Sequence, residues 1–300
     1  MKFSVFQLTR IGGRALNEDR MGYCYTRASC LLVLADGMGG HPEGEVAAQL
    51  ALETVCALYQ QEAKPTVKNP AEFLSAALLA AHHRILRHAT EKGMLDTPRT
   101  TLVAAVLQDG HATWLHCGDS RLYVVRGGEM LLRTRDHSFL EQAHNRFLKI
   151  EPVNRNILFT CLGSATKPFF DMPDPLPLLQ GDKLLLCSDG LWGSLGDAEI
   201  VRRLSDKNVA EAVPEMVESA LRKAGEHSDN VTALALEWET PSSFEATRDA
   251  LAASAMNGEF DSTLQSDLPD HMADDLDEAA IERSIAEINE AIRRSVAKKP

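Results

Sequence analysis

VLADGMGGHPEGEVAAQLA, residues 33–51, runs from an apolar stretch into one acid, Asp36, then through three glycines (Gly37, Gly39, Gly40) into an Ala-rich pattern of helical spacing. A short apolar run that stops on a carboxylate and turns on glycine predicts a buried strand whose end lies open to close approach, because glycine brings no Cβ. Familiar glycine-loop chemistries do not fit. The stretch lacks the lysine of GxxxxGK[ST], and Pro42 stands where GxGxxG needs its third glycine. His41 and Glu43 form the H-x-E of zinc deaminases, but the chain has no PCxxC to complete that site.

Outward from this stretch, apolar runs at 3–8, 31–35, 101–107, 112–117, 121–126, 129–133, 157–161, 183–188 and 231–237 predict strands. Helical spacing over 43–60, 71–91, 197–204 and 208–224 predicts two pairs of helices. Strand clusters separated by helix pairs favour an α+β layered sandwich with largely antiparallel sheets over a doubly wound parallel sheet. Three further strands meet an acid at a turn: Asp119 in HCGDSRLYVV, Asp189 in LLLCSDGLWG and Asp229 in SDNVTALAL, with Glu18 and Asp19 in ALNEDR ahead of the first long core strand. Any one of these is an ordinary Asx turn. Together they sit where sheet packing gathers strand ends, and carboxylates within ~6 Å of one another raise each other's pKa or take up a cation. Oxygen ligands without a His or Cys cluster suit Mg²⁺ or Mn²⁺ better than Zn²⁺.

The 300 residues are 44% apolar, enough for a large core. A net charge of −12 gives no basic footprint for nucleic acid and favours cations. Cys24, Cys30, Cys56, Cys117, Cys161 and Cys187 lie mostly in apolar runs with no CxxC pair, the pattern of buried free thiols in a reducing compartment. With neither a signal-peptide core nor a run long enough to span a bilayer, the sequence predicts a cytoplasmic protein without a membrane partner. His82, His83 and His88 read as a polar helix face and Trp114, Trp192 and Trp238 as core.

Composition changes near Pro241. From there on, 6 Lys+Arg against 13 Asp+Glu give −7 of the chain's −12, which divides it into 1–240 and 241–300. Within the tail, 242–257 predicts a small-residue helix, 258–275 an acidic linker, and Leu276, Ile281, Ile285, Ile288, Ile292 and Val296 an amphipathic helix. That helix could pack on its own catalytic domain, pair with a second copy or dock on a partner.

Eight segments in order, RALNEDR (14–20), VLADGMGGHPEGEVAA (33–48), TTLVAAVL (100–107), HCGDSRLYVVRGGE (116–129), RDHS (135–138), NRNILFTCLGS (154–164), LLLCSDGLWGSL (184–195) and HSDNVTALAL (227–236), resemble the metal-dependent protein serine/threonine phosphatases of the type 2C (PPM) family in their bacterial form. The resemblance implies a central β-sandwich of two antiparallel sheets flanked by helix pairs, with a dinuclear Mn²⁺/Mg²⁺ site at one edge. It also implies hydrolysis of phosphoserine and phosphothreonine in proteins by a metal-bridging hydroxide, reversing serine/threonine kinase signalling. Carried over, Asp36 bridges both metals, the Gly37 carbonyl binds one, and Asp189 with Asp229 holds the other. Glu18 and Asp19 contact the metals directly or through water, Asp119 with Asp189 takes a third, weaker metal, and Arg14 grips the substrate phosphate.

Met38 stands where many eukaryotic relatives place a histidine after Asp-Gly, so the general acid is unassigned, with His41 one substitute. The segment between Ser138 and Arg155 is also shorter than the flap usual in bacterial relatives. Two other functions are compatible with the fold: a phosphoprotein-binding pseudophosphatase, and a scaffold acting through the tail.

Overall fold

The structure, a computed structural model, describes residues 1–139, 158–240 and 261–262. The expected tail helices, the division at 240/241, and most of the segment between Ser138 and Arg155 lie outside the described residues.

Two antiparallel sheets stack face to face. In chain order, the strands are β1 (Phe3–Arg10), β2 (Asp19–Tyr25), β3 (Ser29–Asp36), β4 (Leu102–Gln108), β5 (His111–Cys117), β6 (Arg121–Arg126), β7 (Glu129–Arg133), β8 (Leu176–Pro177), β9 (Lys183–Cys187), β10 (Val231–Trp238) and β11 (Asp261–Ser262). One sheet runs β1-β10-β9-β6-β7 and the other β11-β2-β3-β4-β5-β8. Helices α1 (Gly44–Glu62) and α2 (Pro70–Glu91) cover the second sheet; α4 (Asp197–Asp206) and α5 (Val209–Ala224) cover the first, with the short α3 (Asp189–Trp192) leading into them.

The central strands β3, β4, β6, β9 and β10 are largely apolar because both of their faces are buried. Along β3, Leu31, Val33 and Ala35 face α1 and α2, while Cys30, Leu32 and Leu34 alternate into the layer between the sheets. There they meet Leu122 and Val124 of β6, Leu184 and Leu186 of β9, and Leu234 and Leu236 of β10. Side-chain caps set the helix starts. The Asn69 side chain accepts from the Ala71 N–H at 3.1 Å with Pro70 following, and Asn208 accepts from the Glu211 N–H at 3.0 Å.

The start of α1 is different. Glu43 sits at φ 52°, a conformation uncommon for a residue with a Cβ. Its carboxylate accepts from His88 Nε2 at 2.8 Å and Lys92 Nζ at 3.0 Å, tying the glycine-rich turn to α2.

Strand and helix expectations agree with most of these elements and differ at a few. The run at 157–161 forms no strand among its described residues, only isolated bridges such as Ser138 to Leu158. In turn, β2 and the two-residue strands β8 and β11 are not among the expected strands, and β11 falls within the stretch 258–275 expected as a linker. DRMGYCY carries Arg20 and Gly22 among half-buried neighbours and so lacks an apolar signature. Trp114 and Trp238 are core as expected. His82 is not on a polar face: it is buried, its Nδ1 accepts from the Gly163 N–H at 3.1 Å, and burial lowers its pKa to about 4.

Leu32, fully buried between the sheets and away from the acid cluster, tests this packing. Leu32→Ala should lower unfolding free energy by about 2–5 kcal/mol, measured by urea denaturation with no change in m-value.

Candidate active site

Both sheets end in acids at one edge of the sandwich. Register makes the first encounter unavoidable, since pairing of β2 with β3 sets Asp19 directly across from Asp36. Like charges in that position destabilise a sheet. Asp119 joins from the turn that carries β5 of one sheet into β6 of the other, Asp189 from the start of α3 after β9, and Asp229 from the approach to β10. A cleft of about 480 Å³ opens at this edge, lined by Arg14, Glu18, Gly37, Asp119, Asp189 and Asp229 together with Leu16, Met38, Leu158 and Asn230; Asp19 and Asp36 are not among its lining residues.

The electrostatics follow from this crowding. Burial raises the Asp36 pKa well above the usual carboxylate range, and Asp19, Asp189, Asp119 and Asp229 push it further. Asp189 is raised in the same way, by burial first and then by Asp119 and Asp229. Burial likewise raises Asp19, and raises Glu18 with help from Glu45. Asp119 is pushed up to about 7, by burial and then by Asp136. One cation answers from the rim. Arg14 donates to Asp229 Oδ2 at 2.7 Å, and that hydrogen bond raises its own pKa.

The backbone around the acids is held by residues that a single-sequence reading did not select. Thr101 donates its N–H to the Asp36 carbonyl at 2.8 Å, accepts the Asp36 N–H on Oγ1 at 3.1 Å, and reaches Ser120 Oγ at 2.7 Å. Ser188 Oγ donates to Asp19 Oδ2 at 2.8 Å. Asn230 accepts the Glu18 N–H at 2.8 Å and donates to the carbonyls of Ile11 and Leu16, so it pins the loop bearing Arg14 and Glu18 to the start of β10. Ser188 and Asn230 each stand beside an acid in sequence, and Thr101 lies in the TTLVAAVL segment, but the partners of all three come from distant segments.

Gly37 answers a packing need as well as one of access. A Cβ there would lie 2.4 Å from the Gly44 carbonyl oxygen at the start of α1, so a side chain would force the helix off the strand end. Two expectations change. Trp192 is half-buried, packs against the core beneath α4 and α5, and donates Nε1–H to the Asp119 carbonyl at 3.0 Å beside the site. His41 does not line the cleft: burial, then Arg99, lowers its pKa, and its other charged neighbour is Asp96.

Comparison with known proteins decides the family. The protein phosphatase 2C family profile matches residues 8–234. The chain belongs to the protein phosphatase 2C family. It is similar to the serine/threonine protein phosphatase PstP of Mycobacterium tuberculosis, 34% identical over 73% of this chain, although the match spans only 41% of that relative. It is also similar to the serine/threonine phosphatase stp of Listeria innocua, 30% identical over 74% of this chain and 90% of that one. Among solved structures, the catalytic domain of PstP in complex with two manganese ions superposes with a TM-score of 0.67 at 32% identity, covering 79% of this chain and 99% of that chain. The serine/threonine phosphatase of S. agalactiae gives 0.69 at 27% identity, covering 79% and 100%. In this phosphatase 2C chain, no helix among the described residues is long and apolar enough to cross a membrane.

The raised carboxylates set a pH dependence with a definite sign. A folded-state pKa above the unfolded value means that the folded protein binds more protons, so stability falls as pH rises. EDTA-treated protein should therefore lose thermal stability from about pH 4, the ordinary aspartate value, to about 7, where Asp119 titrates. Differential scanning fluorimetry across that window checks it, and Mn²⁺ added at the upper end should raise the midpoint.

Proposed function

We propose that this chain hydrolyses phosphoserine and phosphothreonine in proteins with Mn²⁺ or Mg²⁺, and that the catalytic unit is residues 1–240, followed by a separate tail, 241–300. The observation that carries this reading is the convergence of Asp19, Asp36, Asp119, Asp189 and Asp229 at one edge, each from a different strand end, with Arg14 across the cleft. The residues fit a cation. Asp19 Oδ1 is buried without a hydrogen-bond partner, and the carboxylates around it hold one another's pKa up, which is the state a divalent ion relieves.

In this reading Asp36 would be shared by two ions, the Gly37 carbonyl would serve one, and Asp189 with Asp229 the other. Glu18 and Asp19 would act directly or through water, and Asp119 with Asp189 would hold a weaker third ion. When bound, such a pair of ions neutralises phosphoryl charge and lowers the pKa of water to a useful range. The chain's own residues do the rest. Arg14 exchanges Asp229 for phosphate oxygens, which its planar fork matches two at a time. Leu16, Met38 and Leu158 line the cleft with apolar surface beside the acids. Because His41 lies off the cleft, the proton for the leaving alkoxide comes from another group or from water.

Substrates are proteins phosphorylated by a serine/threonine kinase system, and six buried free cysteines support work in the reducing cytoplasm. A binding module without turnover is disfavoured, because no acid of the set is missing. A scaffold acting through the tail would show partner binding that deletion of 241–300 abolishes while turnover persists.

Phosphothreonine-peptide hydrolysis tests the reading. Turnover should require Mn²⁺ or Mg²⁺ and fall on the order of 100-fold or more in Asp36→Asn and Asp189→Asn. Arg14→Lys should raise KM for the peptide, because a point charge replaces a fork. Tight phosphopeptide binding without hydrolysis by metal-loaded protein would reject it for the binding module.

A further inference from the structure

The turn that presents Asp119 is braced from outside the acid cluster. Residues 118–120 carry the chain from one sheet to the other, and Gly118 at φ 111° adopts a backbone conformation that side chains rarely take. A Cβ there would also lie 2.7 Å from Thr101 Cγ2. One residue grips this glycine twice. The Gly118 N–H donates to His137 Nδ1 at 3.2 Å, and the Gly118 carbonyl accepts the His137 N–H at 3.0 Å.

An imidazole nitrogen that accepts carries no proton, so the neutral His137 ring holds its proton on Nε2. That nitrogen faces Asp171 Oδ2 at 3.2 Å. Asp171 is fixed in its turn, since its backbone exchanges two hydrogen bonds of 3.1 Å with His116 of β5. Around the buried His137 ring pack His116 at 4.4 Å and Phe159 and Phe169 at 5.3 and 5.2 Å between ring centres. From the other side Trp192 holds the Asp119 carbonyl, with the Arg121 guanidinium 3.5 Å over its ring. The backbone of the turn is therefore held from both sides.

We propose that His137, oriented by Asp171, is a positioning residue that holds the Gly118–Asp119 turn in the geometry with which Asp119 receives a divalent cation. This rests on the reading of Asp119 as a metal ligand.

His116, His137 and Asp171 place one ligand atom each within 4.8 Å of one another and so form a candidate metal set themselves. The geometry favours the brace. The two rings stack with planes 23° apart, so their in-plane lone pairs run side by side, and both His137 nitrogens are already engaged. His116 Nδ1 is the one ring nitrogen of the pair without a partner.

Calorimetric titration of the EDTA-treated full chain with Mn²⁺, alongside the Mn²⁺ dependence of turnover and the thermal midpoint, tests the brace in four variants. His137→Phe keeps a packing ring and removes the acceptor. His137→Asn offers Oδ1 near the place of Nδ1, Asp171→Asn keeps an acceptor for Nε2–H, and Asp119→Asn marks which binding event belongs to Asp119.

The expected result is that Asp119→Asn and His137→Phe weaken the same Mn²⁺ event, the latter by roughly 10–100-fold, with the remaining events unchanged and both conservative variants in between. Wild-type Mn²⁺ binding in His137→Phe while Asp119→Asn is weakened would overturn the brace alone. Unchanged binding in Asp119→Asn would remove the metal-ligand reading, and the proposal with it. Equal weakening of every event with a lowered thermal midpoint would make His137 merely structural. Zn²⁺ found by elemental analysis in the protein as purified, before EDTA, and lost in a fifth variant, His116→Ala, would make the trio a metal site and likewise overturn the proposal.

Discussion

Asp19 and Asp36 face each other across β2 and β3, and the structure around them is arranged so that neither can move away. Ser188 holds one carboxylate, Thr101 holds the backbone of the other, and Asp119, Asp189 and Asp229 arrive from both sheets at the same edge. In water these acids would separate and ionise. Held in a partly buried cluster, Asp19, Asp36, Asp119 and Asp189 keep raised pKa values, which makes the site costly when empty and receptive to divalent charge. The fold supplies the stiffness for this. Three apolar layers, one between the sheets and one beneath each helix pair, fix the strand ends from which the acids project.

Glycine and polar clamps convert that stiffness into aim. Gly37 lets the end of β3 lie against the start of α1, where any side chain would strike the Gly44 carbonyl. Asn230 binds three backbone groups of the loop that carries Arg14 and Glu18, so the cation at the rim and the acids at the floor belong to one hydrogen-bonded unit. His137 plays the corresponding part for the Asp119 turn.

Much of this was legible in the chain. The acids Asp36, Asp119, Asp189 and Asp229 announce themselves because each interrupts an otherwise apolar run, and that signal is local. The layered antiparallel architecture follows from short strands in clusters between helix pairs. Local patterning missed β2 because Arg20 and Gly22 interrupt any continuous apolar run, although Met21, Tyr23 and Tyr25 alternate along one face and pack against the inter-sheet core. Trp192, Thr101, Ser188 and His137 could not be assigned from spacing, since each acts on a partner dozens of residues away or in the other sheet. His41 stood beside the glycines in sequence and turned toward Arg99 and Asp96 in space, which shows how little sequence adjacency says once a chain passes through three glycines.

The most direct test of the account is anomalous diffraction at the manganese edge from crystals of this chain grown with Mn²⁺. The account predicts two strong peaks sharing the Asp36 carboxylate, one reached by the Gly37 carbonyl and the other by Asp189 and Asp229, with a weaker third beside Asp119. Peaks confined to other residues, or an acid cluster without bound manganese at saturating concentration, would contradict it.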